Sequence, residues 1–247
     1  MKTPGDNRNC GDGREAQARE GLDAWAGFPA DRQPRPLVLL DSTVQPGGFP
    51  DGQTKLAFHR GLIEAVPDFP APVLQILRGR PRARAGSPLL LTGATAGETE
   101  FVTDRGRQRL PAWCVRARDV PEPIWVLDPG IGDRCWQPPG HGHDGWRGLE
   151  ATLGTDSCTL TMSFIGSPQG YTSYPGARVL ESGNAIAMIP IRVELVTGWR
   201  TAVGVTRQVT VTLDRPLGNR VLLDDAGSPV MVTSAQPSST DGSPVVP

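Results

Sequence analysis

In the second half of the chain, three segments alternate apolar and polar residues with a period of two. "CTLTMSF" places Leu160, Met162 and Phe164 on one face, and "QVTVTLD" places Val209, Val211 and Leu213 on one face with threonines opposite. "NAIAMIPIRVELV" repeats the pattern with Ala187, Ile189, Ile191, Val193 and Leu195. Successive side chains of a strand point to opposite faces, so each segment suits a sheet with one covered face. Pro190 lacks a ladder donor, which predicts an edge or bulge position for its strand. "GNRVLLDDAGSPVMV" reads as a closing hairpin, with Asp225, Ala226 and Gly227 in its turn. Together these segments predict an antiparallel, immunoglobulin-like sandwich over 146–232. The tryptophan and cysteine spacing of true immunoglobulin domains is absent, so the expectation concerns shape alone.

The first half is patterned less regularly. "RPLVLLD" (35–41) reads as a buried strand, and "DGQTKLAFHRGLIEAV" (51–66) carries Leu56, His59, Leu62, Ile63 and Val66 at helical spacing before Pro67. A helix over about 52–66 follows, with His59 on its apolar side. Beyond Val73 come "VLQILR", "PLLLTG", "TEFVT", "AWCVRAR" and "PIWVLD", each bounded by Gly, Pro or Asp and read as strands of a first sheet. The fold class is therefore mainly β: two β-rich halves with one helix in the first. The expected layout is a β-rich domain over 35–129, a Gly- and Pro-rich linker over 130–145 and the sandwich over 146–232. Residues 1–34 are expected to be disordered or weakly helical, with Ala16, Leu22 and Trp25 as the apolar positions of a short helix. Residues 233–247 have the composition of a disordered tail.

Composition removes several function classes. A net charge of -1 and a pI near 6.3 do not suit a protein that neutralises many phosphates, so nucleic acid is not expected as a partner. Neither an apolar leader nor a run of about 18 apolar residues is present, so the expectation is no membrane span, no signal peptide and a cytoplasmic location. The four cysteines, at 10, 114, 135 and 158, form no CxxC pair, which excludes zinc-ribbon and thioredoxin-like motifs and leaves one disulfide open.

Three longer phrases carry a resemblance: "FPDGQTKLAFHRGL" (49–62), "FVTDRGRQRLPAWCVRARDVPEPIWVLDP" (101–129) and "VTVTLDRPLGNRVLLDDAGSPV" (209–230). They resemble a set of uncharacterised actinobacterial β-rich proteins in which a TDRG...LPAW segment precedes a β domain ending in LDRPLG-R-LLD. Many of those proteins have signal peptides or lipobox sequences. The resemblance covers most of 35–232 and implies layout and host lineage, with no activity attached. Local chemistry accounts for the same phrases. Asp104, Arg105 and Gly106 form a turn in which Asp bonds the backbone ahead and Gly accepts a positive φ. Asp214, Arg215, Pro216 and Gly218 punctuate another turn, where Asp214 is expected to pair with Arg215 or Arg220 at the surface.

Metal chemistry has one place to be, "CWQPPGHGHDGW" (135–146), which holds two of the three histidines. His141 and His143 could give two nitrogens to zinc, with Asp144, Cys135 or Asp133 completing the set. The order lacks the H-x-H-x-D-H spacing of metallo-β-lactamase-like hydrolases. Freezing a glycine-flanked loop costs about 1–2 kcal/mol per residue. The expectation is no cofactor, with zinc as the alternative. Neither G-x-S-x-G after a parallel strand nor a phosphate-binding glycine loop occurs. Cys114, beside Trp113 and Val115, reads as a small buried residue. "SPQGYTSYPG" (167–176) sets Tyr171 and Tyr174 in a Gly- and Pro-rich loop, where such rings give rigid contact area with a polar tip. The functional expectation is a non-catalytic binding or assembly protein that contacts a protein partner through this loop. The alternative is a metal-assisted or carboxylate-based hydrolase with its site near 133–146.

Overall fold

A computed structural model describes residues 9–79, 86–139, 148–196 and 203–235. The protein is mainly β. It divides into two compact units, one of Gln33–Trp146 and one of Met1–Arg32 with Arg147–Pro247. In chain order, α1 (Asn9–Ala24) belongs to the second of these. The first then runs β1 (Val44–Gln45), α2 (Gly52–His59), β2 (Ile63–Ala65), α3 (Ala71–Arg78), β3 (Leu89–Thr103), β4 (Gly106–Ala117) and β5 (Ile124–Leu127). A 3₁₀ helix at Pro129–Arg134 follows.

The five strands of this unit form one sheet in the order β1-β5-β4-β3-β2. The helix expected over 52–66 stops at His59. Its N-cap is Asp51, whose carboxylate accepts from the Thr54 amide at 2.8 Å. Only Ala57 of α2 is buried and Leu56 is 39% exposed, so the apolar spacing read as one helical stripe is not used as one. Gly61 (φ 64) turns the chain where an added Cβ would lie 2.1 Å from the Arg78 carbonyl oxygen, and Ile63–Ala65 then joins β3 in parallel. His59 lies exposed, edge-on to Phe58 with ring centroids 5.5 Å apart. "VLQILR" is α3 instead of a strand, because Pro70 and Pro72 suit a helix start and Val73 and Leu77, four apart, are both buried. "PLLLTG" and "TEFVT" are the two ends of one strand, β3, which pairs with β4 from Thr103↔Gly106 to Leu91↔Ala117. "RPLVLLD" forms only isolated bridges, Leu37↔Cys135 and Leu39↔Thr103, although Val38, Leu39 and Leu40 are buried.

The turn at 103–106 has the expected positive φ at Gly106 (89°) but different bonding. Thr103 Oγ1 accepts from the Arg105 amide at 3.1 Å and donates to the Gly106 carbonyl at 2.8 Å. Asp104 is instead buried and accepts both guanidinium nitrogens of Arg35. Burial pulls the Arg105 guanidinium below its ordinary pKa; Asp104 opposes that shift and Arg35 adds to it. The residues expected to begin a linker are built into the unit: Ile131 is buried with Leu39, Phe101, Leu110 and Leu127, and the Trp136 amide donates to Leu37 O at 2.8 Å.

The other unit continues with β6 (Glu150–Leu153), β7 (Thr159–Gly166), β8 (Thr172–Glu181), β9 (Ala185–Glu194), β10 (Val205–Thr212), β11 (Val221–Leu223) and β12 (Met231–Ser234). They form a four-stranded sheet, β10-β7-β6-β12, and a three-stranded sheet, β11-β9-β8. Leu160, Met162 and Val209 from the first pack with Ile186, Met188 and Leu222 from the second in one core, as the period-two pattern requires. The expected purely antiparallel pairing does not hold, since β12 runs parallel to β6 and β11 parallel to β9. The "closing hairpin" is accordingly a turn whose two arms enter different sheets. Its Asp224 carboxylate accepts from the Ala226 and Ser228 amides at 2.9 and 2.8 Å. Arg220 does not pair with Asp214: it is 6% exposed, binds Glu181 and donates to the Arg215 and Pro216 carbonyls at 3.0 and 2.8 Å, which ties the 214–220 loop shut.

Helix α1 is an integral part of this unit, packed on β9, β11 and β8. Among its described positions Ala18 and Gly21 are buried, and Trp25, just past its end, continues the helical spacing; Ala16 is exposed. Trp25 Nε1 donates to the Gly227 carbonyl at 3.3 Å, and Gly21 and Gly227 meet so closely that a Cβ on Gly21 would lie 2.5 Å from Gly227 Cα. Strand β9 is central rather than an edge over Ala185–Ala187, between β11 and β8, and pairs with β8 alone beyond that. Pro190 falls in this singly paired stretch, where a missing donor breaks no ladder to β11, and its carbonyl accepts from Arg14 at 3.1 Å.

Candidate recognition surface

Only 167–171 of the tyrosine segment is a loop; from Thr172 onward it is strand β8. Gly170 (φ 95) closes a turn in which the Tyr171 amide donates to Pro168 O at 3.3 Å. Tyr174 faces inward. Its ring stands edge-on to Phe164 with centroids 5.0 Å apart, and its hydroxyl accepts from the Ser167 amide at 3.2 Å. Arg207 joins the same knot through Nε to Ser167 O at 2.9 Å. Gly166 lets both in, because an added Cβ would sit 2.9 Å from Arg207 Cγ and from Tyr174 Oη. Tyr174 thereby shapes the loop from below, and Tyr171 is half-buried beside it.

The loop is tied to β9: the Leu195 amide donates to Tyr171 O at 3.0 Å. Here the structure adds a feature that sequence reading missed. Ile191, Val193 and Leu195 have the same parity along the strand as Ala185, Ala187 and Ile189, which are 7% exposed or less. The first three are 45%, 44% and 55% exposed. Arg14 of α1 reaches the Pro190 carbonyl, next to the first residue of the bare row. Val196, also exposed, extends it. The sequence signal was the alternation itself, which gives the face and not what covers it.

The metal candidates divide differently. His141, His143 and Asp144 lie outside the described residues. Cys135 is half-buried next to Leu37 and Asp133 is exposed. Burial pushes the Cys135 thiol above its ordinary pKa, with Arg134 opposing, so on its own it is held as a thiol. Among the described residues no three His, Cys, Asp or Glu side chains converge. Cys114, Cys135 and Cys158 are free, and no described helix is long and apolar enough to cross a membrane.

No family model, no curated protein and no solved structure matches the chain.

Proposed function

We propose that the protein is a non-catalytic binding or assembly module whose contact surface is the 167–171 loop together with the outer end of β9. The observation that carries this reading is the row Ile191, Val193 and Leu195, bare on a sheet face and joined to the loop by the Leu195–Tyr171 hydrogen bond. Contiguous exposed apolar side chains are characteristic of interaction sites, whereas single ones are ordinary. The partner that fits is a protein presenting an apolar ridge, because among the described residues the row offers apolar area and no cluster of one charge. Tyr171 would add a half-buried aromatic contact at the border of the patch. An immunoglobulin-like arrangement of the sandwich belongs to the same reading, since such folds place their contacts on loops and sheet faces at one end.

The test is a double substitution, Val193→Glu with Leu195→Glu. Both positions are exposed, so thermal stability is expected to stay within a few degrees of the parent. A protein retained by the parent from a cell extract and released by the double variant supports the reading. Retention unchanged by two charges in the row would refute it.

A further inference from the structure

A second site lies in the unit of residues 33–146. A cavity of about 470 Å³ opens between α2, the residues leading into β3 and the end of β4. Its size is within the range of small-ligand sites, roughly 300–1,000 Å³. Its lining includes the apolar side chains of Leu56, Leu62 and Leu89. Leu56 is an apolar helix residue that remains 39% exposed. Arg60, Arg118, Asp51 and Asp119 belong to the same lining. Among the described residues none of the four forms an ion pair with another residue. Among the described residues, two arginines and two aspartates thus line one cavity without an ion pair between them.

That balance selects the ligand. A simple anion drawn to the arginines would also face Asp51 and Asp119, and a simple cation would face Arg60 and Arg118; like-charge juxtaposition of this kind works against either. A molecule bearing one charge of each sign on an apolar body meets no such conflict. Asp51 is partly occupied as the cap of α2, with Thr54 bound to both its oxygens at 2.8 and 2.9 Å, which leaves Asp119 as the freer carboxylate. Asp119 is held at φ 61, a left-handed conformation that Asp and Asn tolerate better than most side chains. We infer that this cavity binds an amphipathic zwitterion: carboxylate to Arg60 and Arg118, ammonium to Asp119, apolar body on Leu56 and Leu62. A free apolar amino acid and a short apolar peptide are the two sources of that chemistry.

Isothermal titration calorimetry on the full chain decides it, with leucine and the dipeptide Leu-Leu as probes. The controls are 4-methylpentanoate, which is leucine without its ammonium group, and 3-methylbutylamine, which is leucine without its carboxylate. Saturable one-to-one binding of leucine or Leu-Leu is expected, with both controls weaker by at least about tenfold, or about 1.4 kcal/mol. Tighter binding of leucine assigns the site to free amino acids, and tighter binding of Leu-Leu assigns it to peptides. Arg118→Gln and Asp119→Asn, both at exposed positions, should each weaken binding severalfold while leaving the melting temperature in place. The proposal is overturned if neither zwitterion saturates the protein, or if 4-methylpentanoate binds as tightly as leucine. It is equally overturned if both substitutions leave the affinity unchanged.

Discussion

Strand β9 has two halves with the same alternation and opposite environments. From Ala185 to Pro190 every residue is buried, while from Ile191 to Val193 every residue is exposed. The first half is covered twice, by the four-stranded sheet on the face of Ile186 and Met188 and by α1 on the face of Ala185, Ala187 and Ile189. In the second half β11 no longer pairs and the side chains of Ile191, Arg192 and Val193 are exposed. The apolar residues continue regardless. A strand's hydrophobic pattern therefore reports which side chains share a face, and whether that face is dry depends on a segment more than 160 residues earlier in the chain. The difference between the halves is the basis for reading the second as a contact surface.

The comparison can be broken most forcefully by uncovering the first half. Trp25 is 1% exposed, packs against Phe28 with ring centroids 6.0 Å apart and fixes the end of α1 to the 224–228 turn. Trp25→Ala should cost about 3–5 kcal/mol, measured by urea denaturation, and should make the covered half bind a hydrophobic dye. A cost below about 1 kcal/mol would mean that α1 does not cover β9 in solution. Gly21→Ala acts on the same contact more gently. Its new methyl group would meet the Gly227 backbone, which must move, so a loss of about 1–3 kcal/mol is expected despite alanine's better helix propensity. The opposite sign, a gain of a few tenths, would show that the helix stands away from the turn.

Arg14 marks the border between the halves, and Arg14→Gln should cost about 1 kcal/mol. The substitution removes the ion pair to Asp225 and the bond to the Pro190 carbonyl. Hydrogen exchange is the sharper readout, with faster exchange expected in the outer half of β9 and little change at Ala185–Ala187. How far this border was legible in the sequence follows from the same contacts. The period-two segments are strands over Thr159–Gly166, Ala185–Glu194 and Val205–Thr212 because side-chain alternation is a local property. The N-terminal helix was legible only as a weak one, because two of its buried positions are Ala18 and Gly21, residues that carry little hydrophobic signal but allow close approach. "VLQILR" misled for a related reason: a short apolar run suits strand or helix equally, and the prolines before it decide. At the candidate surface, Tyr171 was reachable from loop composition, whereas the inward turn of Tyr174 and the bare row on β9 depend on partners far away in sequence. The cavity residues, spread from Asp51 to Asp119, have no common sequence signal at all.

The smallest expected effect is the most discriminating. Ile189 and Val193 lie on the same face of the same strand, 7% and 44% exposed. Threonine at Ile189 places a hydroxyl under α1 and should cost about 1–3 kcal/mol. Threonine at Val193 keeps the β-branched shape on an open face and should stay within about 0.5 kcal/mol of the parent. Measured side by side in urea, these two substitutions compare cover with no cover at nearly constant chemistry. Equal costs would mean that the outer half of β9 is as dry as the inner half. A dilution series would then identify what dries it: a cost that fades as the protein is diluted points to a second copy seated on the row, and one that persists points to the chain's own segments. Only in the second case would the row cease to be available to a partner.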